Sequence, residues 1–324
     1  MSSIPHYLTN LDLNYFTEAA RDIPYQKVHS DLFPGVEVWI RRDDLLDPLI
    51  SGNKAYKLLY NLIDAGEQGV ETLITCGGAW SNHLHASAAA GARFGYRTIG
   101  IIRGERPPEL SAMLQDAERL GMGFKFVTRE LYRQRNQQEF PGHLGGELQN
   151  YLYLPEGGAN FAGARGVFLL GKIIEATKPI RFDQLWVACG TGLTLGGLRA
   201  AVNSFPVCGV EVLKAGGSIR RDAQRWLAAL STSEACRRDQ VVAKSVDLMS
   251  EYHCDGYGKY PSQLQAFQQA FERQSSIPLD PIYTAKLLYA IHLRANAGHF
   301  ECGTKILALH SGGLQGRRGL QLGS

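Results

Sequence analysis

The chain has 324 residues with 34 Lys+Arg against 31 Asp+Glu, a formal charge of +3. That length holds one large or two modest domains with a substantial core, and the near-balance of charge disfavours a basic nucleic-acid binder. Hydrophobic residues make up 44% and charged residues 20%, a globular mix that excludes a disordered or collagen-like chain.

Glycine is in excess, at 36 residues against a usual proportion of about one in fourteen. It clusters at Gly77-Gly78, Gly157-Gly158, Gly190 to Gly197 and Gly312-Gly313, the pattern of backbone that approaches something closely. No apolar run reaches the ~18 residues of a membrane span. Met1 to Asn10 lacks the basic end and apolar stretch of a signal peptide. Cys76, Cys189, Cys208, Cys236, Cys254 and Cys302 are scattered, without C-x-x-C or zinc-like pairing. They read as reduced thiols of a cytoplasmic protein, with no membrane partner.

In chain order, Tyr56 to Gly66 places Leu58, Leu59, Leu62 and Ile63 at helical spacing, and Thr72 to Thr75 is a short buried-strand run. A glycine turn follows, then an Ala-rich helix from Ser81 to Phe94 and a second strand from Thr98 to Ile102. Strand, turn, helix and strand make a βαβ unit, which implies a parallel sheet with functional loops at the strand C-termini. The stretch Arg129 to Asn150 reads as a loop or charged surface helix, a solvated face. The grammar then returns: strand Gln184 to Ala188, turn Cys189 to Gly192, helix from Leu195 to about Val202, strand Val207 to Val212. Two such blocks predict two α/β lobes with a ligand cleft between them.

Three segments carry candidate chemistry. Ser51-Gly52-Asn53-Lys54-Ala55-Tyr56-Lys57 leads small residues into a lysine at a helix start. A cation there opposes the macrodipole, which lowers the cost of a neutral amine, and a neutral amine attacks carbonyls. Taken alone, a surface lysine is the commoner explanation. Thr75 to His83 ends a strand, bends at Gly77-Gly78, and opens a helix with Ser81, Asn82 and His83; Ser81 could be a cap and nothing more. His83 and His85 stand two apart, where helical side chains diverge, so no metal site is expected. Cys189 to Gly197 places a glycine turn between strand and helix, where free N–H groups favour an anion. It lacks the P-loop lysine and a strict G-x-G-x-x-G, so a compact phosphate monoester suits it best. Gly256-Tyr257-Gly258, Asp280 to Thr284 and Leu309 to Gly313 add a tyrosine able to stack on a ring and hydroxyls able to meet a ring nitrogen. Together these are the parts that hold pyridoxal phosphate.

From about Arg41 to Gly313 the sequence resembles the D-cysteine desulfhydrase and 1-aminocyclopropane-1-carboxylate deaminase family. Its members are tryptophan-synthase-β-like, fold type II pyridoxal phosphate enzymes. The resemblance implies an α/β fold of two domains, parallel sheets flanked by helices, with the active site in the interdomain cleft. Residues 1–55 and 162–324 would form the large cofactor-binding domain and 56–161 the small one. Lys54 would be the Schiff-base lysine and Lys57 would assist the phosphate. Asn82 would bond the ring oxygen, and Gly190, Thr191, Gly192, Leu193 and Thr194 would form the phosphate loop. Tyr283 would stack on the ring, with Thr284 and Ser311 near its nitrogen. Ser81, Asn82, His83, Tyr257 and Trp80 would face the substrate. A homodimer is expected on the same ground.

Deaminases similar to this chain carry a glutamate directly after the stacking tyrosine and a leucine before the last Gly-Gly, whereas desulfhydrases carry small hydroxyl residues; this chain has Thr284 and Ser311. A neutral hydroxyl gives a shallower electron sink, sufficient when Cα deprotonation is followed by loss of a good leaving group from Cβ. The expected activity is therefore α,β-elimination on a small D-amino acid, D-cysteine to pyruvate, ammonia and hydrogen sulfide. The rivals are cyclopropane-amino-acid deamination to 2-oxobutanoate, a racemase or D-serine eliminase, and a non-catalytic binder of a vitamer or small anion. The chain departs from the pattern at Ser51, at Ala55-Tyr56, and at Trp80, which replaces a glutamine that helps bind the substrate carboxylate. A large indole is expected to reshape that carboxylate site.

Overall fold

Strands form where short apolar runs end in glycine or polar turns: β1 Tyr25–Lys27, β2 Val36–Arg41, β3 Thr72–Gly77, β4 Arg97–Arg103, β5 Gly123–Val127, β6 Tyr151–Leu154, β7 Gln184–Cys189, β8 Val207–Glu211, β9 Asp247–Met249 and β10 Thr304–Leu309. In the computed structural model the described residues are 8–137, 139–144, 149–233 and 245–320. Cys236, the first seven residues and part of the 129–150 stretch lie outside them. One sheet has the order β1-β2-β10-β7-β8-β9 and the other β5-β4-β3-β6. The four-stranded sheet is parallel throughout. The six-stranded sheet is parallel except for the β1–β2 pair. Parallel strands are covered on both faces, and every residue of β3 and β8 is buried accordingly.

The helix Asn53–Glu67 packs along the helix Phe161–Thr177. Their apolar faces share one core with residues from both sheets, among them Leu58, Leu62, Leu73, Val167, Leu170, Leu185 and Val187. Trp186, Val210, Phe267 and Ile306 form a second core with the far side of the six-stranded sheet. Two smaller cores, around Ile74 and Ile101 and around Leu84 and Ile102, clothe the four-stranded sheet.

The predicted elements lie within a few residues of the observed ones. The helix read from Tyr56 starts three residues earlier, at Asn53, because Gly52 supplies a left-handed turn (φ 63°) pressed on the Ser311 carbonyl. The helix after β7 is Leu193–Ala201, beginning at the glycine turn itself. One expectation is corrected in part. Among the described residues of the stretch 129–150 most are exposed, as a solvated face requires, but Tyr132 and Phe140 are buried in the core around Ile74, and Arg135 and Asn136 line a cavity. The stretch's polar composition hides two aromatic anchors spaced across a turn.

Candidate active site

The C-terminal ends of parallel strands from both sheets face one cleft of about 800 Å³. Gly78 after β3, Arg103 ending β4, Pro155 after β6, Cys189 ending β7 and Leu213 after β8 all line it. This is where an open α/β sheet places a ligand, since the loops there are free to diverge while the strands beneath are held in register.

Lys54 enters from the first turn of its helix, and its Nζ donates to Asn53 Oδ1 at 2.8 Å. Asn53 Nδ2 in turn donates to Thr194 Oγ1 at 3.1 Å, tying the lysine to the glycine loop. Burial lowers the Lys54 amine to about 8, against an opposing pull from Asp280. Desolvation is the acting cause, and the charge that opposes it is the Asp280 carboxylate rather than a neighbouring cation that would add to it. Lys57 and His83 are buried beside it, and both are pushed well below their ordinary values by burial and then by Lys54. The lysine helix is anchored behind the site, where Tyr56 Oη donates to Asp43 Oδ1 at 2.7 Å and Arg41 Nε donates to Asp43 Oδ2 at 3.1 Å.

Opposite Lys54 stands Tyr283, with the Lys54 Nζ 6.0 Å from its ring centroid. Its segment is clamped by the buried Asp280 carboxylate, which accepts from the N–H groups of Ile282, Tyr283 and Thr284 at 2.8–3.0 Å. Ser81 caps the helix Asn82–Phe94 through the Leu84 N–H. Tyr257 Oη donates to the Trp80 carbonyl at 3.3 Å.

The cleft brings together Lys54, Lys57, Ser81, Asn82, His83, Gly190, Thr191, Gly192, Thr194, Tyr257 and Tyr283. Four expected residues stand outside its lining. Leu193 is in the core, and Thr284 is fully buried at the start of its helix. Ser311 meets the lysine helix through its carbonyl, which accepts from Asn53 N at 3.3 Å. The Trp80 ring packs where Gly319 leaves space, so it is the main chain of Trp80 that meets Tyr257. The indole thus packs on the C-terminal 3-10 turn Leu314–Gly319 and is not among the residues lining the cleft, which corrects the expectation that it reshapes the carboxylate site. Sequence reasoning missed Asn53, Arg103, Arg135 and Glu156. Of these only Asn53 carried a signal, its place beside Lys54.

Asn82 Oδ1 and both His83 ring nitrogens are buried without a hydrogen-bond partner. Each orphan costs ~1–3 kcal/mol unless a ligand completes it. The turn Gly190 to Gly192 leads into the N-terminus of the helix Leu193–Ala201, where free N–H groups suit a phosphate. A flat ring bearing a phosphate tail and an aldehyde fits this arrangement. Lys54 would take the aldehyde, Tyr283 the ring face, Asn82 the ring oxygen, and the glycine loop the phosphate.

Comparison with known proteins agrees. A protein of Thermotoga maritima named putative 1-aminocyclopropane-1-carboxylate deaminase is 30% identical over 294 residues, covering 87% of this chain and 90% of its own length. A D-cysteine desulfhydrase of Yersinia pestis is 28% identical, covering 86% and 87%. The crystal structure of an ACC deaminase homologue superposes with a TM-score of 0.77 at 25% identity, covering 99% of this chain and 96% of that one. The family model described as pyridoxal-phosphate dependent enzyme matches residues 18–312. The cofactor is pyridoxal phosphate, the fold is type II, and the chain belongs to the pyridoxal-phosphate dependent enzyme family.

Proposed function

We propose that this enzyme eliminates a leaving group from Cβ of a small D-amino acid, with D-cysteine giving pyruvate, ammonia and hydrogen sulfide. Bound pyridoxal phosphate supplies the electron sink that makes the substrate Cα–H acidic. The chain's own groups do the rest. Lys54, poised near 8 by burial, takes the Cα proton as general base, a value close to the working pH where such a base is most effective. Asn53 holds its Nζ in place. The Ser81 oxygen accepts the Leu84 N–H, which leaves its own proton free to donate to a substrate carboxylate or leaving group. The Cβ–S bond breaks with its electrons on sulfur, and the released aminoacrylate takes up water to give pyruvate and ammonium.

The observation that carries this reading is the residue type at 284, a buried neutral threonine beside Asp280 at the start of the helix Thr284–Asn296, directly after Tyr283. By the resemblance, a deaminase holds a glutamate there. A hydroxyl leaves the ring nitrogen unprotonated more of the time, which suits prompt loss of a leaving group rather than opening of a strained ring. The names of the relatives support both desulfhydrase and deaminase chemistry. A substrate panel therefore decides: D-cysteine and β-chloro-D-alanine are expected to give pyruvate, and the cyclopropane amino acid no 2-oxobutanoate. Formation of 2-oxobutanoate at comparable kcat/KM would sink the reading, as would full pyruvate formation by Lys54→Ala.

The same reading includes a cytoplasmic homodimer. Support for the compartment is that Cys76, Cys189, Cys208, Cys254 and Cys302 are free thiols and that no described helix is long and apolar enough to cross a membrane. The dimer rests on the resemblance.

A further inference from the structure

Among the described residues, the ionic side chains lining the cleft are Lys54, Lys57, Arg103, Arg135, Arg225, Glu156 and Asp222. Both carboxylates are taken: Arg135 Nε bonds Glu156 Oε2 at 2.6 Å, Tyr132 Oη donates to Glu156 Oε1 at 2.8 Å, and Arg225 lies 3.4 Å from Asp222. Burial pushes the Lys54 and Lys57 amines toward the neutral form. Arg103 alone remains a permanent cation without a carboxylate partner among the described residues, since a guanidinium does not deprotonate in a protein.

Its setting is that of a recognition group. Arg103 is the last residue of β4, in register with Val127 of β5. Its guanidinium lies 5.8 Å from the Tyr132 ring centroid. Nη2 lies 3.3 Å from where a Gly78 Cβ would stand, so it sits directly over the bend that leads to Ser81 and Asn82. Arg103 also acts electrostatically on Tyr257, the exposed tyrosine of the cleft. The buried end belongs to Lys54 and the glycine loop. The first turn of the helix Asn82–Phe94, with free N–H groups, suits an α-carboxylate. What remains of an amino acid for Arg103 is its side chain.

Resting on the elimination reading and narrowing it, we propose that Arg103 selects substrates whose Cβ substituent carries a negative charge: a sulfonate or a phosphate monoester. With a sulfonate or phosphate the Cβ–S or Cβ–O bond breaks with its electron pair on the departing sulfite or phosphate. The Cα proton goes to Lys54, and the same aminoacrylate gives pyruvate and ammonium.

The test uses purified holoenzyme. D-cysteate and O-phospho-D-serine are compared with neutral β-chloro-D-alanine, in the wild type and in Arg103→Leu, Arg103→Gln and Arg103→Lys. Arg103→Leu is expected to lower kcat/KM for the anionic substrates by about 10–100-fold, mainly through KM, with partial recovery in Arg103→Lys. The neutral substrate is expected to lose less than the anionic ones, so that the charged-to-neutral ratio of kcat/KM falls. A parallel calorimetric titration of the wild type compares D-aspartate with D-asparagine, which differ in charge but hardly in shape and carry no leaving group. Tighter binding of D-aspartate, lost in Arg103→Gln, supports the assignment even if no substrate on the panel is eliminated, in which case the elimination reading alone falls. Equal binding of the two, or equal loss of activity on charged and neutral substrates, overturns it.

Discussion

Asn53 joins Lys54 to the glycine loop: its Oδ1 accepts from Lys54 Nζ at 2.8 Å while its Nδ2 donates to Thr194 at 3.1 Å. The amide both aims the amine and leaves it uncharged at little cost, since a neutral acceptor does not stabilise the ammonium as a carboxylate would.

Asn53→Asp places that carboxylate on the amine and is expected to raise the Lys54 pKa above about 8. A neutral amine is the form that captures an aldehyde, so the pH midpoint for cofactor capture by apoprotein, followed by absorbance, moves upward. Asn53→Ala is expected to leave the midpoint near its wild-type position and slow turnover by about 10-fold through lost orientation.

His83 is buried with its pKa well below the ordinary 6.5. Below that value the unfolded chain binds a proton that the folded chain does not, so folding stability is intact above pH 6.5 and is lost as pH falls. The slope attributable to this group is about 1.4 kcal/mol per pH unit. Urea denaturation of apoprotein between pH 5 and 7, compared with His83→Gln, measures it: the variant is expected to show a flatter acid limb.

Tyr56 Oη is a donor to the buried Asp43 carboxylate, which Arg41 also holds. Tyr56→Phe keeps the ring against Phe16, 5.2 Å away centroid to centroid, and removes only the hydroxyl. A loss of about 1–3 kcal/mol in unfolding free energy is expected, with KM for substrate unchanged. An equal Tm in the variant and the wild type would show that the network is not what fixes the lysine helix.

The Trp80 indole tests where the substrate carboxylate binds. Its ring packs where Gly319 leaves space, away from the residues lining the cleft. Trp80→Gln is expected to leave KM within about 3-fold and to cost about 1–3 kcal/mol of stability. A large drop in KM with unaltered stability would instead return the indole to the substrate site.

Much of the fold and half of the site are legible in the sequence because they are local. A strand, a glycine and a helix start lie within ten residues of each other, so Lys54, Ser81 to His83 and Gly190 to Thr194 announce themselves by pattern. The misreadings are of two kinds. Trp80 stands out only as a departure from the family pattern and the 129–150 stretch only by its composition, whereas side-chain direction depends on backbone torsions that sequence does not state. Arg103, Arg135 and Glu156 were not singled out, because each is unremarkable where it stands in the chain.

Alone, the sequence determined the chemistry that neighbouring residues can perform: which amine starts a helix, which turn presents bare N–H groups, and that two parallel α/β sheets carry them. Tertiary structure decided the rest. The pairing of β3 with β4 and β6 brings Arg103 and Glu156 to the Gly78 bend across tens of residues. Desolvation, which exists only once both sheets close around Lys54, sets its proton affinity. Charge pairing and burial depend on distances in space, and those arise only when remote segments meet.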